Sequence, residues 1–195
     1  VGVAGAAVVY NRRANQRLVA QTGKLAQQLG IELVTPEPKL GGFYPGLPVA
    51  DGEYRGRRLQ CFSVGHGMNN TRQTDTALRV QTQGPEQLQI TVSGRGLSGK
   101  LGQFKRGEDA PTGDKAFDKA FLVRSNNPGA ITTFLGPDMR ARLRSLWGSE
   151  SGFIYLRDGV LTYTEFGLLL EDARRERFER MADLLCDLAD ELEMF

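Results

Sequence analysis

The chain has 195 residues, of which 40% are hydrophobic and 25% charged, and its formal net charge is +2. This length supports one well-filled core and argues against a two-domain enzyme. The charge balance gives no basis for nucleic-acid binding. Two distant cysteines, Cys61 and Cys186, and one histidine are too few for a structural zinc site. We predict two free, buried thiols in a reducing compartment, with one disulfide as the alternative.

The chain opens with VGVAGAAVVY, ten residues without a charge, and no acid precedes Glu32. Ten helical residues rise about 15 Å, whereas a membrane core of about 30 Å needs ~20 residues. We therefore predict that this segment is the inner half of a transmembrane helix whose earlier residues precede Val1. The alternatives are a buried N-terminal helix of a soluble domain and the remnant of a secretory signal.

The predicted membrane anchor and interface combine apolar residues, an interfacial tyrosine and three arginines. These residues are Val1, Val3, Val8, Val9, Tyr10, Arg12, Arg13 and Arg17. By the positive-inside rule, the arginines predict that the main domain lies on the cytoplasmic side of a bacterial inner membrane. This membrane is either the cytoplasmic membrane or an intracytoplasmic membrane. From Ala14 the pattern stays helical, because Leu18, Leu25 and Leu29 share one stripe and Gly30 is a typical C-terminal stop. Residues 1–30 are thus predicted to be a transmembrane end plus an amphipathic stalk.

Residues 31–52 are predicted to be a linker, or a loop packed on the domain by Phe43 and Tyr44, because four prolines and four glycines lie between positions 35 and 52. Residues 53–195 are predicted to form a cytoplasmic α+β domain. Three strand-like runs follow the linker, at 57–64, 74–82 and 86–94. In the third run Leu88, Ile90 and Val92 alternate with polar residues, which favours an antiparallel meander with one wet face.

The second half of the chain predicts a strand ending at Ser125, two short helices, a hairpin and a long helix. Asn127-Pro128 and Pro137 are typical helix starts. Asp158-Gly159 suits a two-residue hairpin turn between β-rich runs. The segment 171–195 has the apolar stripe of an amphipathic helix. Since the strands do not alternate with helices, a doubly wound nucleotide-binding sheet is not expected.

The stretch SGRGLSGKL at 93–101 contains G-x-x-x-x-G-K and G-x-G-x-x-G superimposed. A Walker loop needs a Ser or Thr after its lysine and a helix behind it, but Leu101 follows Lys100 and more glycines come next. We predict a mobile basic loop suited to contacting a partner. Its candidate contact residues are Arg95, Lys100, Lys105 and Arg106. His66 lies between glycines and is predicted in a turn. No residue is assigned to catalysis, a metal or a cofactor.

Residues 113–166 resemble a pattern found in uncharacterised bacterial membrane-associated domains of unknown function. The matching positions are Phe117, Asp118, Phe121, Val123, Ser125, Leu135, Pro137, Met139 and Leu143, followed by the Asp158-Gly159 hairpin. Gly136 departs from the pattern, where a small hydroxylated residue is more usual. The resemblance implies a membrane-tethered domain and implies no activity.

The leading expectation is a non-enzymatic, single-pass membrane protein that acts as an accessory or structural subunit. It would stabilise or assemble a larger respiratory, photosynthetic or transport complex. Its partners would be integral membrane proteins and lipids, without nucleic acid. One alternative is a small-ligand or phosphate-binding protein or enzyme that uses loop 94–106. Another is a peripheral domain that binds anionic lipid through Arg12, Arg13 and Arg17.

Overall fold

The computed structural model describes residues 2–36, 46–66, 73–97, 107–147 and 152–194. Its helices are α1 (Gly2–Leu29), α2 (Lys115–Ala120), α3 (Ile131–Phe134), α4 (Pro137–Trp147) and α5 (Asp172–Glu193). Its strands are β1 (Glu32–Val34), β2 (Val49–Tyr54), β3 (Arg57–His66), β4 (Gln73–Gln81), β5 (Ile90–Gly94), β6 (Glu108–Asp109), β7 (Phe121–Ser125), β8 (Gly152–Arg157) and β9 (Val160–Phe166). Short 3₁₀ turns lie at Arg95–Leu97 and Pro128–Ala130.

The described strands form one antiparallel sheet in the order β1-β2-β3-β4-β9-β8-β5-β7-β6. The predicted α+β class with an antiparallel sheet and a long C-terminal helix is confirmed. The predicted meander of three consecutive strands is wrong at its third member. β3 and β4 are neighbours, but β5 pairs with β8 and β7, and the β8–β9 hairpin lies between β4 and β5. Alternation determines which face a side chain occupies, but it carries no information about which strand lies beside it.

The β8–β9 hairpin is confirmed at the predicted turn. Asp158 and Gly159 both have positive φ, 51° and 70°, as a type I′ turn requires. The predicted apolar face of α4 is also confirmed, because Met139, Leu143 and Trp147 are buried. The two cysteines are free and buried, as predicted.

One face of the sheet, which we call the covered face, packs against the helices. The buried hydrophobic cluster joins alternate strand residues such as Leu59, Leu78 and Leu161 to residues of α1, α3, α4 and α5. A chain of aromatic rings runs through this core. Its successive centroid distances are 4.5 Å for Phe117–Phe121, 5.2 Å for Phe121–Trp147, 6.0 Å for Trp147–Tyr163 and 5.3 Å for Tyr163–Phe178. Several positions of the 113–166 resemblance are therefore packing residues of this core.

A buried carboxylate fastens α5 to β9 on the covered face. Glu165 is 1% exposed and accepts hydrogen bonds from the Tyr163 hydroxyl and from Nε and Nη2 of Arg177, the latter at 2.9 Å. Nε of Arg174 lies 3.3 Å from its Oε2. Burial and the neighbouring Glu165 carboxylate raise the pKa of Tyr163 well above its ordinary value, so the hydroxyl stays a donor. We call these four residues the Glu165 cluster.

A second set of charges holds the C-terminal end of α5 against the β2–β3 turn. Arg57 donates to Asp190 at 2.6 Å and to Glu193 at 2.9 Å, and Arg55 donates to Asp187 at 2.7 Å. The Tyr54 hydroxyl donates to Asp183 of α5 at 2.7 Å. These contacts lie at the surface, so each adds less than a core contact does.

The second half of α1 belongs to the covered face. The predicted stripe is confirmed, because Leu18, Leu25 and Leu29 are 2%, 0% and 7% exposed. Lys24 also forms an ion pair with Asp172 at 3.2 Å, which joins α1 to the start of α5. This part of the predicted stalk is thus packed into the domain.

The predicted transmembrane end of α1 is not supported by the structure. Among the described residues, no helix combines the length and the hydropathy that crossing a membrane requires. Val1 lies outside the described residues, as do the side chains of residues 2–12.

The proline- and glycine-rich segment 31–52 enters the sheet at both ends. Glu32 pairs with Asp51 and Val34 with Val49, so β1 and β2 run antiparallel at one edge. Phe43 and Tyr44, predicted to pack this segment on the domain, lie outside the described residues.

Candidate functional site

The face of the sheet opposite the helices, which we call the open face, carries a shallow groove across β3, β4, β9 and β8. Ala77 and Phe153 are buried but do not belong to the hydrophobic cluster of the covered face. The groove has a volume of about 530 Å³. Its lining residues are Arg58, Gln60, Val64, Ala77, Arg79, Gln81, Phe153, Tyr155, Arg157, Asp158, Val160, Thr162 and Thr164.

Strand register arranges the side chains of the open face in rows that cross the four strands. The first row consists of Gln81, Val160 and Arg157, with Arg58 at the same level of β3. The second row consists of Gln60, Arg79, Thr162 and Tyr155. The third row consists of Phe62, Ala77, Thr164 and Phe153, and the fourth of Val64, Asp75 and Phe166. Three arginines therefore lie in two adjacent rows, and the aromatic and aliphatic side chains dominate the other two.

The arginine end of the groove is only partly neutralised. Nη2 of Arg58 donates to Asp51 at 3.1 Å, and this hydrogen bond, together with one from Gln60, lowers the pKa of Asp51. Across the described ranges, no carboxylate forms an ion pair with Arg79 or Arg157. Two guanidinium groups therefore remain available to an anion.

The apolar end is built from rings over small residues. Phe153 and Tyr155 lie on β8 with their centroids 6.0 Å apart, and Ala77 and Thr164 occupy the middle of the floor. The guanidinium of Arg79 lies 4.6 Å from the centroid of the Phe62 ring, which marks the border between the two ends. Guanidinium groups bind carboxylates and phosphates through two parallel hydrogen bonds, and the adjacent rings accept an apolar group.

The predicted anchor residues are only partly described. The backbones of Val3, Val8, Val9, Tyr10 and Arg12 lie in α1, and their side chains lie outside the described residues. Arg13 and Arg17 are exposed on α1. Their contact with a membrane stays a prediction.

Most of the predicted basic loop also lies outside the described residues, including Lys100, Lys105 and Arg106. Arg95 begins a 3₁₀ turn, and its Nε donates to the backbone oxygen of Asp118 at 2.7 Å. Within the described part of the motif, β5 ends at Gly94 and this turn follows, and the residues directly after the turn, where a phosphate cradle needs a helix, lie outside the described residues. Its role as a partner contact stays a prediction.

The structure places both cysteine thiols outside the groove lining. His66 is the last residue of β3, where a turn was predicted, and its side chain is not described. Burial raises the pKa of Cys61 to about 12 and that of Cys186 to about 11, so both thiols stay protonated at neutral pH. Among the described residues, no group of three or more His, Cys, Asp or Glu side chains is arranged to hold a metal.

Sequence reasoning missed the groove residues Arg58, Arg79, Arg157 and Tyr155. Their signal is the alternation within RRLQCF, ALRVQT and FIYLRDG, where arginines and aromatics occupy the positions between core residues. Alternation assigns them to one face, but the register is needed to show that β3, β4 and β8 bring them together across β9.

The comparisons with known proteins identify a fold and no family. No protein-family model matches the sequence, and no curated protein matches it. Among solved structures, the fold is similar to that of the mycobacterial trehalose monomycolate transport factor A, with a TM-score of 0.61. The two sequences are 13% identical over 90% of this chain and 96% of that chain. At this identity the chain shares the architecture of that transport factor, and the similarity establishes the fold alone.

Proposed function

We propose that the protein is an accessory subunit that associates with a bacterial inner membrane through the N-terminal end of α1 and stabilises or assembles a larger membrane protein complex. In this proposal it acts by contact rather than by catalysis, and its partners are integral membrane proteins and lipids. The membrane association implied by the resemblance over residues 113–166 is part of the same proposal.

The observation that carries the proposal is the continuity of α1. One helix extends from Gly2 to Leu29, with ten uncharged residues at its start and three leucines in the domain core at its end. A membrane-bound end of this helix would hold the domain at a set distance and orientation. The exposed Arg13 and Arg17 would add about 1 kcal/mol each next to anionic head groups.

The fold similarity favours one of the three kinds of complex that the sequence left open. The protein of similar fold is named a transport factor for trehalose monomycolate. We therefore propose a transport complex. The detergent-extraction experiment described below can identify a respiratory or photosynthetic complex instead.

Vesicle flotation tests the membrane half of the proposal. The purified chain is mixed with vesicles of phosphatidylglycerol and phosphatidylcholine, and the floated fraction is measured. We expect the wild-type chain to float and Val8→Asp/Val9→Asp to lose about 90% of that binding, because two carboxylates cannot enter the apolar layer. The matched control is Leu33→Asp/Val34→Asp, which places the same charges on exposed residues of β1.

The salt dependence separates anchoring from peripheral binding. Binding that persists in about 0.5 M salt supports an apolar anchor, because salt screens exposed charges. If salt abolishes the binding and Arg12→Gln/Arg13→Gln/Arg17→Gln reproduces that loss, the peripheral-lipid alternative is correct. Equal binding of wild type and Val8→Asp/Val9→Asp would contradict the role of α1.

Gentle detergent extraction from the source cells tests the complex. We expect the wild-type protein to elute in a large assembly with an integral membrane protein, and Val8→Asp/Val9→Asp to elute smaller. The identity of the co-eluting protein decides among transport, respiratory and photosynthetic complexes. A small monomer without a partner would contradict the proposal.

A further inference from the structure

We propose that the open-face groove is a binding site for a small anionic amphiphile, a molecule with a phosphate or carboxylate head on an apolar chain. The groove lies on β3, β4, β9 and β8, and none of its lining residues belongs to α1. The inference therefore stands apart from the proposed membrane function.

The size of the groove favours a small molecule. Its volume of about 530 Å³ lies within the range of roughly 300–1,000 Å³ that is typical of small-ligand sites. Four strands and four rows span about 14 Å by about 20 Å of sheet surface. That is about 300 Å², whereas a stable protein partner covers about 800 Å².

The charges favour an anionic head at one end. Arg79 and Arg157 lie on strands separated by β9 and in adjacent rows, so their Cα atoms are about 12 Å apart. Two extended arginine side chains can reach one oxyanion across that distance. The acids nearest this end are Asp51, which is paired with Arg58, Glu53, which lies opposite Arg58 in the β2–β3 register, and Asp158 in the hairpin turn. Asp51 and Glu53 lie beside Arg58, whereas no described carboxylate forms an ion pair with Arg79 or Arg157, so the positive charge of this end is concentrated at those two arginines.

The opposite end favours an apolar tail. Its rows carry Phe62, Phe153 and Val64, and the small side chain of Ala77 lies between Phe62 and Thr164. Asp75 is the acid in the fourth row, where it is 4% exposed and two rows away from Arg79. A head group at the arginines therefore avoids Asp75, and the chain attached to it would lie over the rings. This polarity also fixes the direction in which the ligand binds.

Titration calorimetry with three probes tests the match. Decyl phosphate, kept below its critical micelle concentration, carries both head and chain. Inorganic phosphate carries the head alone, and decyl maltoside carries the same chain on a neutral head. We expect decyl phosphate to bind at one site at least tenfold more tightly than either control. In amide NMR spectra it should shift signals of β3, β4, β8 and β9.

Substitutions at each end of the groove then test which end binds the head group and which binds the apolar chain. Arg79→Gln/Arg157→Gln should weaken decyl phosphate at least tenfold, whereas Arg180→Gln, which changes an exposed arginine of α5, should leave it unchanged. Val64→Asp should weaken decyl phosphate and leave inorganic phosphate unaffected. If the double variant does not fold, Arg157→Gln alone makes the same comparison.

Three results would overturn the inference. Decyl maltoside could bind as tightly as decyl phosphate, Arg180→Gln could weaken binding as much as the groove variants do, or the shifted signals could lie in α1 or α5. The experiment contains no vesicle, so a failure here leaves the proposed membrane function to be decided by flotation.

Discussion

The two faces of the sheet are made by the same strands and differ in almost every other respect. On β9, Tyr163 and Glu165 point to the covered face, while Thr162 and Thr164 point to the open face. The covered face is a packed layer of rings and aliphatic chains with one satisfied carboxylate. The open face is a groove of arginines, glutamines and threonines beside a few rings. The difference separates the residues that stabilise the fold from those that are available for recognition.

The difference between the two faces follows from the free-energy cost of removing polar groups from water. A polar group buried in the covered face must find partners, and Glu165 does so through Tyr163, Arg174 and Arg177. On the open face Arg79 and Arg157 keep contact with solvent, so they need no such partner. Because these two arginines do not stabilise the fold through an ion pair, they can bind an anionic ligand.

A pair of tyrosine substitutions gives the largest expected contrast. Tyr163→Ala should lower the free energy of unfolding by about 4 kcal/mol, because it empties a core site and removes a donor from Glu165. Tyr155→Ala, which changes the open-face residue paired with Thr162 of the same hairpin, should cost about 1 kcal/mol or less. Equilibrium unfolding in urea measures both. Equal losses would contradict the division between the two faces.

Removing the Glu165 carboxylate tests whether the buried charges of the Glu165 cluster stabilise the covered face. Glu165→Ala should cost about 3 kcal/mol, because it leaves the partly buried Arg174 and Arg177 without their shared carboxylate. The control is Asp51→Ala, which breaks the exposed pair with Arg58 and should cost about 1 kcal/mol at most. Urea unfolding of both variants checks the contrast. A loss at Glu165 no greater than that at Asp51 would show that the cluster does not hold α5.

Gly152 tests how tightly the covered face is packed. A Cβ at this position would lie 2.9 Å from two atoms of the Tyr163 ring and hydroxyl and 3.0 Å from the Thr164 backbone oxygen. We expect Gly152→Ala to cost about 2 kcal/mol, since the backbone oxygen cannot move aside easily. Gly159→Ala, whose Cβ would meet nothing closer than 3.6 Å, should cost about 1 kcal/mol from its positive φ alone. Thermal unfolding compares the two variants.

The smallest expected effect concerns the surface pairs of α5. Hydrogen bonds from Arg57 lower the pKa of Glu193 from 4.5 to about 2. A carboxyl whose pKa is lowered in the folded state stabilises the fold above about pH 4.5, and this contribution is lost as the pH falls toward 2. We expect wild type to lose more stability than Glu193→Gln between about pH 5 and about pH 3, by less than about 1 kcal/mol. Urea midpoints at the two pH values measure the difference, and parallel slopes would contradict it.

Local signals were enough to predict several elements of this fold. Asp158-Gly159 occupies a turn that needs two positive φ angles, so two residues identify the hairpin. The apolar spacing of α5 and of the second half of α1 identified the helices and their buried sides. These predictions hold because a turn or a helix depends on neighbours within a few residues.

The sequence by itself determined the α+β class, the Asp158-Gly159 hairpin and the apolar stripes of α4 and α5. Only the tertiary structure decided that the β8–β9 hairpin lies between β4 and β5 and that α1 packs into the core. The groove depends on the same strand order, because that order brings Arg79 of β4 within reach of Arg157 of β8 across β9. Strand pairing is set by contacts between residues far apart in the chain. The local patterns of a single sequence do not show which distant residues come into contact.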